Sequence, residues 1–558
     1  LVRSLGFGVF ACALVVGCGG GGGSNSGPGS NPGGGQTPPT PAANVTVNVT
    51  SAAISASIAQ GDPYSATVSG TWSATNLGSG AAYLQVTDSA STFTLPAIQA
   101  APSNGAFSYA LPVSATLANG ERTGTITVKA CKDATCSNAH AGTSGSVGYQ
   151  ITINRVPDWE TFQANAAHNG FVPITLDPGK FAKAWEWKAP SIPDTSFVYV
   201  GMLVTGGDSV YSLVTREAAN GLADSYVALA EATGALRWEA RLGPVTGSDV
   251  GGNNPAYSAG RLYVGVAGAA EYSLLALDTA NGASTFQANP GFTPRSGLAP
   301  TPYDGGVYAL DRARGSGSQP NRLFWTSSNG GAPVWSQYIN EPEEGNPFFT
   351  PAVDAQHLYY HDACCLKMLD RRTGSLIASV LNTNADAGNT SSRAHPVAIG
   401  SRGNVLALAY TPAPAKRVLS SFNIASRVHE WTTALDFDGY IASANGVAYV
   451  RRIQDGQPLL YAIDEVNGQV LWTWTPPAGD AQTSLTGNIV ATRNLVFFST
   501  ANTTTGTGKT WAIDIASRQA VWSYSAPGNV VISSSRMLYI TPMGDGFDED
   551  SVVAFRTR

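Results

Sequence analysis

Charge is scarce in this chain of 558 residues. Asp, Glu, Lys and Arg make up 13% of it, against about 25% in an average soluble domain. The formal net charge is −6 and there is no basic block. That argues against a protein that holds nucleic acid by neutralising phosphates. Histidine and cysteine number six each. Neither falls into a haem-attachment spacing, and no nucleophile elbow or phosphate-binding loop is present. His357 and His361 lie four apart, but a strand separates them by about 13 Å, too far for one metal. No apolar run reaches the roughly 20 residues of a membrane-spanning helix. After the first twenty residues no segment repeats apolar residues with helical spacing. What remains is short apolar stretches divided by glycine, asparagine and proline, which predicts an all-β chain.

The front of the chain reads as an address. Arg3 precedes the apolar run Leu5 to Val16, which is the length of a signal-peptide core. The run ends in Val15-Val16-Gly17-Cys18, which resembles a bacterial lipobox. The resemblance implies that residues 1–18 hold the signal peptide and lipobox, with lipid on Cys18 as a membrane anchor. Gly19, not aspartate, follows the cysteine, which favours the outer membrane. Residues 19–43 are rich in glycine and proline, have nothing to bury, and are expected to be a disordered tether.

Cys12 belongs to the signal segment. The four remaining cysteines form two close pairs, Cys131 with Cys136 and Cys364 with Cys365. In an oxidising compartment both pairs are candidate disulfides. Residues 44–155 alternate apolar and polar positions in short stretches about ten residues apart, which predicts a β-sandwich. This stretch looks like a bacterial immunoglobulin-like module, and it reads as a passive spacer.

From Asp158 to Arg558 one figure returns: apolar-x-apolar-Asp-x-x-x-Gly-x-x-x-Trp. Its clearest copy is YAIDEVNGQVLW, with Asp464, Gly468 and Trp472. Other copies carry Gly234 and Trp238; Asp278, Gly282 and Phe286; Gly330 and Trp335; Asp370 and Gly374, with Ala378 in the aromatic place; Arg427 and Trp431; and Asp514, Arg518 and Trp522. The interval is roughly 40–50 residues, the period of a propeller blade. A strand rich in aliphatic and aromatic residues precedes each of the seven copies, SVYSL, RLYVG, GVYAL, HLYYH, NVLAL, GVAYV and LVFFS, and an eighth, MLYIT, precedes the start of a further figure in SVVAFRTR. The spacing predicts an eight-bladed β-propeller over 158–558, with the last blade completed by AKAWEW at Ala182 to Trp187. The glycine is expected to turn the chain at positive φ, and Arg427 and Arg518 to give a different or strained turn.

This figure, with DWETFQANAAHNGFVP at Asp158 to Pro173, resembles the pyrroloquinoline-quinone-type propeller repeat. The resemblance implies that Trp238, Trp335, Trp431, Trp472 and Trp522 dock between blades. The family includes quinone-dependent dehydrogenases and cofactor-free lipoproteins similar to the outer-membrane assembly factor BamB. The dehydrogenases carry a vicinal disulfide against the quinone, which makes Cys364-Cys365 the tempting feature. No motif gathers calcium ligands with a catalytic carboxylate, however. The expectation is a non-catalytic scaffold in the cell envelope that binds a protein or polymer on its propeller loops, with no cofactor and no catalytic residue. The alternatives are a periplasmic dehydrogenase of alcohols or sugars using pyrroloquinoline quinone with calcium, and a surface adhesin.

Overall fold

The computed structural model describes residues 43–558 apart from 78–81, 102–104, 192–194, 219–220, 246–253, 268–271, 289–292, 295–298, 313–320, 340–349, 363, 385–396, 413–415, 478–486, 503–506 and 544–548. The readings for Cys18 and for the tether up to residue 42 lie outside the described residues.

The first unit is a two-sheet sandwich. One sheet orders Asn44–Val49, Ser65–Thr75 and Gly105–Pro112. The other orders Ile54–Ala59, Ala139–Asn154, Gly120–Cys131, Ala82–Asp88 and Gln99–Ala101. Alternation decides which face each side chain takes. Val45, Val68, Trp72 and Leu111 from the first sheet meet Leu84, Ile126, Val128 and Ile151 from the second in one core. Two strands escaped the pattern in the sequence. Ile54–Ala59 has only Ile54 and Ile58 as large apolar residues, and pairs in parallel with Ala139–Asn154. Gln99–Ala101 is three residues long. The disulfide Cys131–Cys136 closes the hairpin beyond Gly120–Cys131, where Lys132 N donates to Asn138 O at 2.7 Å.

The rest is a β-propeller. Eight sheets of four or five strands follow in chain order, at 195–245, 256–288, 293–339, 352–381, 397–432, 438–474, 490–524 and 528–556. We number them first to eighth. The eighth takes its outer strand from the front of the chain: Ala182–Lys188 pairs with Ser551–Arg556, with Trp185 opposite Ala554. Joining the two ends of the chain in one sheet leaves the ring without a break.

One cross-strand row explains why the sheets share a sequence figure. In the first sheet Tyr211 stands opposite Ala228, and Ala228 opposite Trp238. The same row reads Tyr263–Ala276–Phe286, Tyr449–Ala462–Trp472, Phe497–Ala512–Trp522 and Tyr539–Ala554–Trp185 in the second, sixth, seventh and eighth sheets. A small middle residue lets the outer rings approach over it, as with Tyr211 and Trp238 at 6.0 Å between centroids. The fourth sheet reverses the sizes, as Tyr359–Met368–Ala378. Met368 fills space that the missing outer aromatic leaves.

The glycine of each figure receives the ring of the preceding sheet. A Cβ on Gly234 would stand 2.6 Å from Trp185, on Gly282 2.7 Å from Trp238, and on Gly330 2.8 Å from Phe286. On Gly374 it would stand 2.6 Å from Trp335, and on Gly468 2.6 Å from Trp431. The indole N–H then donates to a backbone oxygen in the same turn: Trp185 to Glu231, Trp238 to Thr279, Trp335 to Arg371 and Trp431 to Glu465. Glycine is therefore required twice, for positive φ and for contact with the ring. Asp278, Asp370, Asp464 and Asp514 shape the same turn by accepting from N–H groups two or three residues on. Arg427 and Arg518 keep the turn, with φ of 57° and 60°. Their N–H groups bond Asn423 O at 2.9 Å and Asp514 O at 2.7 Å, as the glycines' do. The turn is strained there and otherwise unchanged. The sheet before Arg427 ends in Ala378, so no ring needs a glycine seat.

Candidate functional site

A propeller offers three places for function: the axis, the loop faces and the outer rim. The axis is occupied by the chain itself. After the sandwich, residues 158–172 travel round the inner strands and touch the sheets in turn. Trp159 exchanges backbone bonds with the first sheet at Thr205, at 2.8 Å, and with its hydroxyl, at 3.0 Å. Glu160 O accepts from Tyr257 N of the second, and Thr161 Oγ1 donates to Pro300 O beside the third. Ala166, Ala167, Asn169 and Gly170 accept from Val353, Ile399, Ser443 and Ala491 of the fourth to seventh. Ser534 of the eighth donates to Asp158. The segment is a hoop inside the ring. Its short polar side chains and small residues fit it to run between inner strands, with Gly170 at φ 58°.

Gln163 and His168 fix the hoop across the axis. Gln163 Nε2 donates to Ile441 O at 2.9 Å and to Ile489 O at 3.4 Å. His168 Nε2 lies 3.2 Å from Thr301 Oγ1 and stacks edge-on against Phe162. Burial alone pulls its pKa down to about 3, so the ring is neutral. Glu160 is pushed the other way, up to about 7, by burial and then by the neighbouring Asp158 carboxylate, with Arg155 opposing.

On one side of the hoop lies a small recess lined by Trp159, Phe162, Gln163, Met202, Asn254, Asn488 and Asn529 among others. Among the described residues no Asp, Glu, Lys, Arg or His is in its lining. Its amides are mostly committed already. Asn254 Oδ1 accepts from Met202 N at 2.9 Å, and Asn488 exchanges two bonds with Val530. A quinone bearing carboxylates, held with a divalent cation, would need cationic partners and carboxylate ligands. The residues of this recess do not fit that group.

The other marked feature is the disulfide Cys364–Cys365, in the turn before strand Cys365–Asp370 of the fourth sheet. Asp362 organises the turn. Its Oδ1 accepts from Cys364 N at 3.1 Å and Cys365 N at 2.8 Å, and Lys367 Nζ pairs with Oδ2 at 3.1 Å. Neither cysteine lines the axial recess. Asp362 and the two sulfurs are the one metal-sized cluster among the described residues, but the sulfurs are bonded to each other and supply no thiolate. The structure thus separates the two features that a quinone site would unite.

The outer rim has different chemistry. The first sheet and the third to seventh all expose apolar side chains there, among them Leu236, Tyr338, Leu381, Val428, Leu471 and Val521. Sequence reasoning singled out the repeat aromatics and the turn glycines. It missed the hoop, because residues 158–172 carry neither strand nor helix periodicity. The hoop's backbone N–H and C=O groups are satisfied by the sheets rather than by each other, and no local pattern announces that.

An all-β ring whose sheets dock indole on glycine is a propeller of the pyrroloquinoline-quinone-type repeat. The family described as outer membrane protein assembly factor BamB matches residues 223–437 and 415–556, and the chain belongs to it. No curated protein matches the chain. Among solved structures it is similar to BamB from Moraxella catarrhalis, at 14% identity over 67% of this chain and 99% of that one, TM-score 0.48. It is also similar to the quinohemoprotein alcohol dehydrogenase ADHIIG from Pseudomonas putida HK5, at 12% over 72% and 80%, TM-score 0.46. AztD from Citrobacter koseri is similar at 10% over 86% and 99%, TM-score 0.36. At these identities the likeness is one of fold.

Proposed function

We propose that this protein is an envelope scaffold: a lipoprotein held by lipid on Cys18 whose propeller binds a protein partner without catalysing a reaction. The carrying observation is where the chemistry lies. The hoop runs along the inner strands and the recess beside it has no charged side chain among the described residues, whereas the outer strands of the first sheet and of the third to seventh expose apolar side chains. Exposed apolar residues along the outer strands are what a protein partner covers. Membership of the BamB family supports an envelope setting. Among the described residues no helix is long and apolar enough to cross a membrane, which agrees with a lipid as the anchor. We read the eight sheets as eight blades and the sandwich as an immunoglobulin-like module.

The competing reading is a quinone-dependent dehydrogenase, and the vicinal disulfide is what favours it. Titrating the purified, unlipidated chain with pyrroloquinoline quinone and calcium separates the two. The scaffold reading expects no saturable absorbance change and no rise in melting temperature. Saturable binding with a raised melting temperature would overturn it. In parallel, a photo-crosslinking residue at Tyr338 or Leu381 in the cell envelope should capture one defined protein. Capture from Leu236 on the first sheet, and not from these positions, would place the partner on another part of the rim.

A further inference from the structure

Among the described residues the sandwich's polar contacts with the ring lie at the seam where the ring closes. Asp62 sits in the turn after strand Ile54–Ala59. Its carboxylate meets two arginines of the propeller. Arg536 Nη2 lies 2.5 Å from Oδ1 and Arg493 Nη1 lies 3.1 Å from Oδ2. The Asp62 and Arg536 side chains are 3% and 4% exposed, so this pair is desolvated and each charge depends on the other.

Arg536 uses its remaining donors on the same junction. Nε and Nη2 donate to Gln60 O, and Nη1 donates to Thr175 O. Thr175 N donates to Asp62 Oδ1 at 2.8 Å. Thr557 Oγ1, just past the last strand, donates to Arg536 O. Arg536 holds all this from a φ of 67°, a conformation that surrounding contacts must maintain. Gly61 leaves room for it: a Cβ there would lie 3.1 Å from Arg536 Nε and 3.2 Å from the Arg558 guanidinium. Ala59 belongs to the same buried cluster as Val531, Leu538 and Phe555 of the eighth sheet.

We propose that the sandwich is a clasp on the closing sheet of the propeller. Its 60–62 turn locks together the exit of the hoop, the turn of the seventh sheet and both ends of the eighth. The ring's closure depends on the sandwich, and the sandwich fixes the angle at which the propeller is carried. This replaces the reading of a passive spacer.

Hydrogen exchange of the full soluble chain, read peptide by peptide, tests this. Asp62→Ala should speed exchange at least tenfold in strands Ala182–Lys188 and Ser551–Arg556, and leave His357–His361 and Arg417–Asn423 within twofold of the parent. Should Asp62→Ala fail to fold, Arg493→Gln removes the more exposed arm alone and should give the same pattern at smaller amplitude. Asp133→Ala, in the disulfide hairpin of the sandwich, serves as the control and should leave the seam unmoved. Unchanged exchange at the seam in Asp62→Ala, or an equal rise in all eight sheets, would overturn the proposal.

Discussion

Replacing Gly374 by alanine tests the seat mechanism most directly. The glycine sits at φ 71°, and an added Cβ would lie 2.6 Å from two ring atoms of Trp335. Carbon atoms rest at about 3.5–4.0 Å, so the indole must withdraw by roughly 1 Å. Withdrawal weakens the Trp335 Nε1 bond to Arg371 O, now 3.1 Å and worth about 1 kcal/mol net. Forced repacking of a filled site costs about 1–3 kcal/mol. Left-handed backbone adds about 1–2 kcal/mol for any residue with a Cβ, less about 0.4–1 kcal/mol recovered from a stiffer unfolded chain. The sum is a loss of about 3 kcal/mol. Gly403 is the matched control: its φ is 74° and nothing lies within 4 Å of an added Cβ. Gly403→Ala should cost about 1 kcal/mol. Urea unfolding by circular dichroism and by tryptophan fluorescence, used where the two transitions coincide, gives both values. In a Trp335→Ala background the cost of Gly374→Ala should fall to the control value, because the clash has gone. If Gly374→Ala and Gly403→Ala differ by less than about 0.5 kcal/mol, the seat is not what the glycine is for.

Two further outcomes follow from residues that break the pattern. Arg518→Gly should stabilise the chain more than Arg427→Gly, by about 1 kcal/mol, because Trp472 precedes the first position in the ring and Ala378 the second; equal effects in urea unfolding would show that Trp472 takes no seat on the seventh sheet. Glu160 has its pKa raised from 4.5 to about 7. Between those values the folded state keeps a proton the unfolded state has lost, so stability falls as pH rises through the window. Glu160→Gln removes that slope, and its melting temperature relative to the parent should climb from pH 4.5 to 7 and level off above; a constant difference would show that Glu160 titrates normally.

Much of the ring could be read before any coordinates. Asp464, Gly468 and Trp472 recur because a turn, a seat and a ring are one local unit of twelve residues, and local units leave a period. The pairing of Ala378 with Arg427 is also visible in the sequence once the seat is known, since the aromatic and the glycine are lost on facing sheets. Other features have no local signature. Asp62 and Arg536 are separated by 474 residues, and nothing near either one announces the other. Besides the hoop, the recess lining draws Met202, Asn254, Ala299, Asn488 and Asn529 from five separate stretches of the chain. Periodicity identifies which side chains face inward, but not which of them meet across the axis.

The hoop has a consequence for assembly. It lies at the front of the ring in sequence, yet its contacts are spread over everything that follows: Gln163 reaches Ile489 across 326 residues. Contacts of such long range reward the chain only after large loops have been closed, which slows folding. The first sheets can form as they emerge, each from neighbouring strands. The hoop cannot be satisfied until the seventh has arrived, and the eighth waits for a strand made early and held in reserve. A chain of this design stays open, with inner strands exposed, until its last sheet has arrived. Its dependence on folding helpers should therefore fall on the final fifty residues, and truncations there should leave the whole ring unclosed rather than one sheet short.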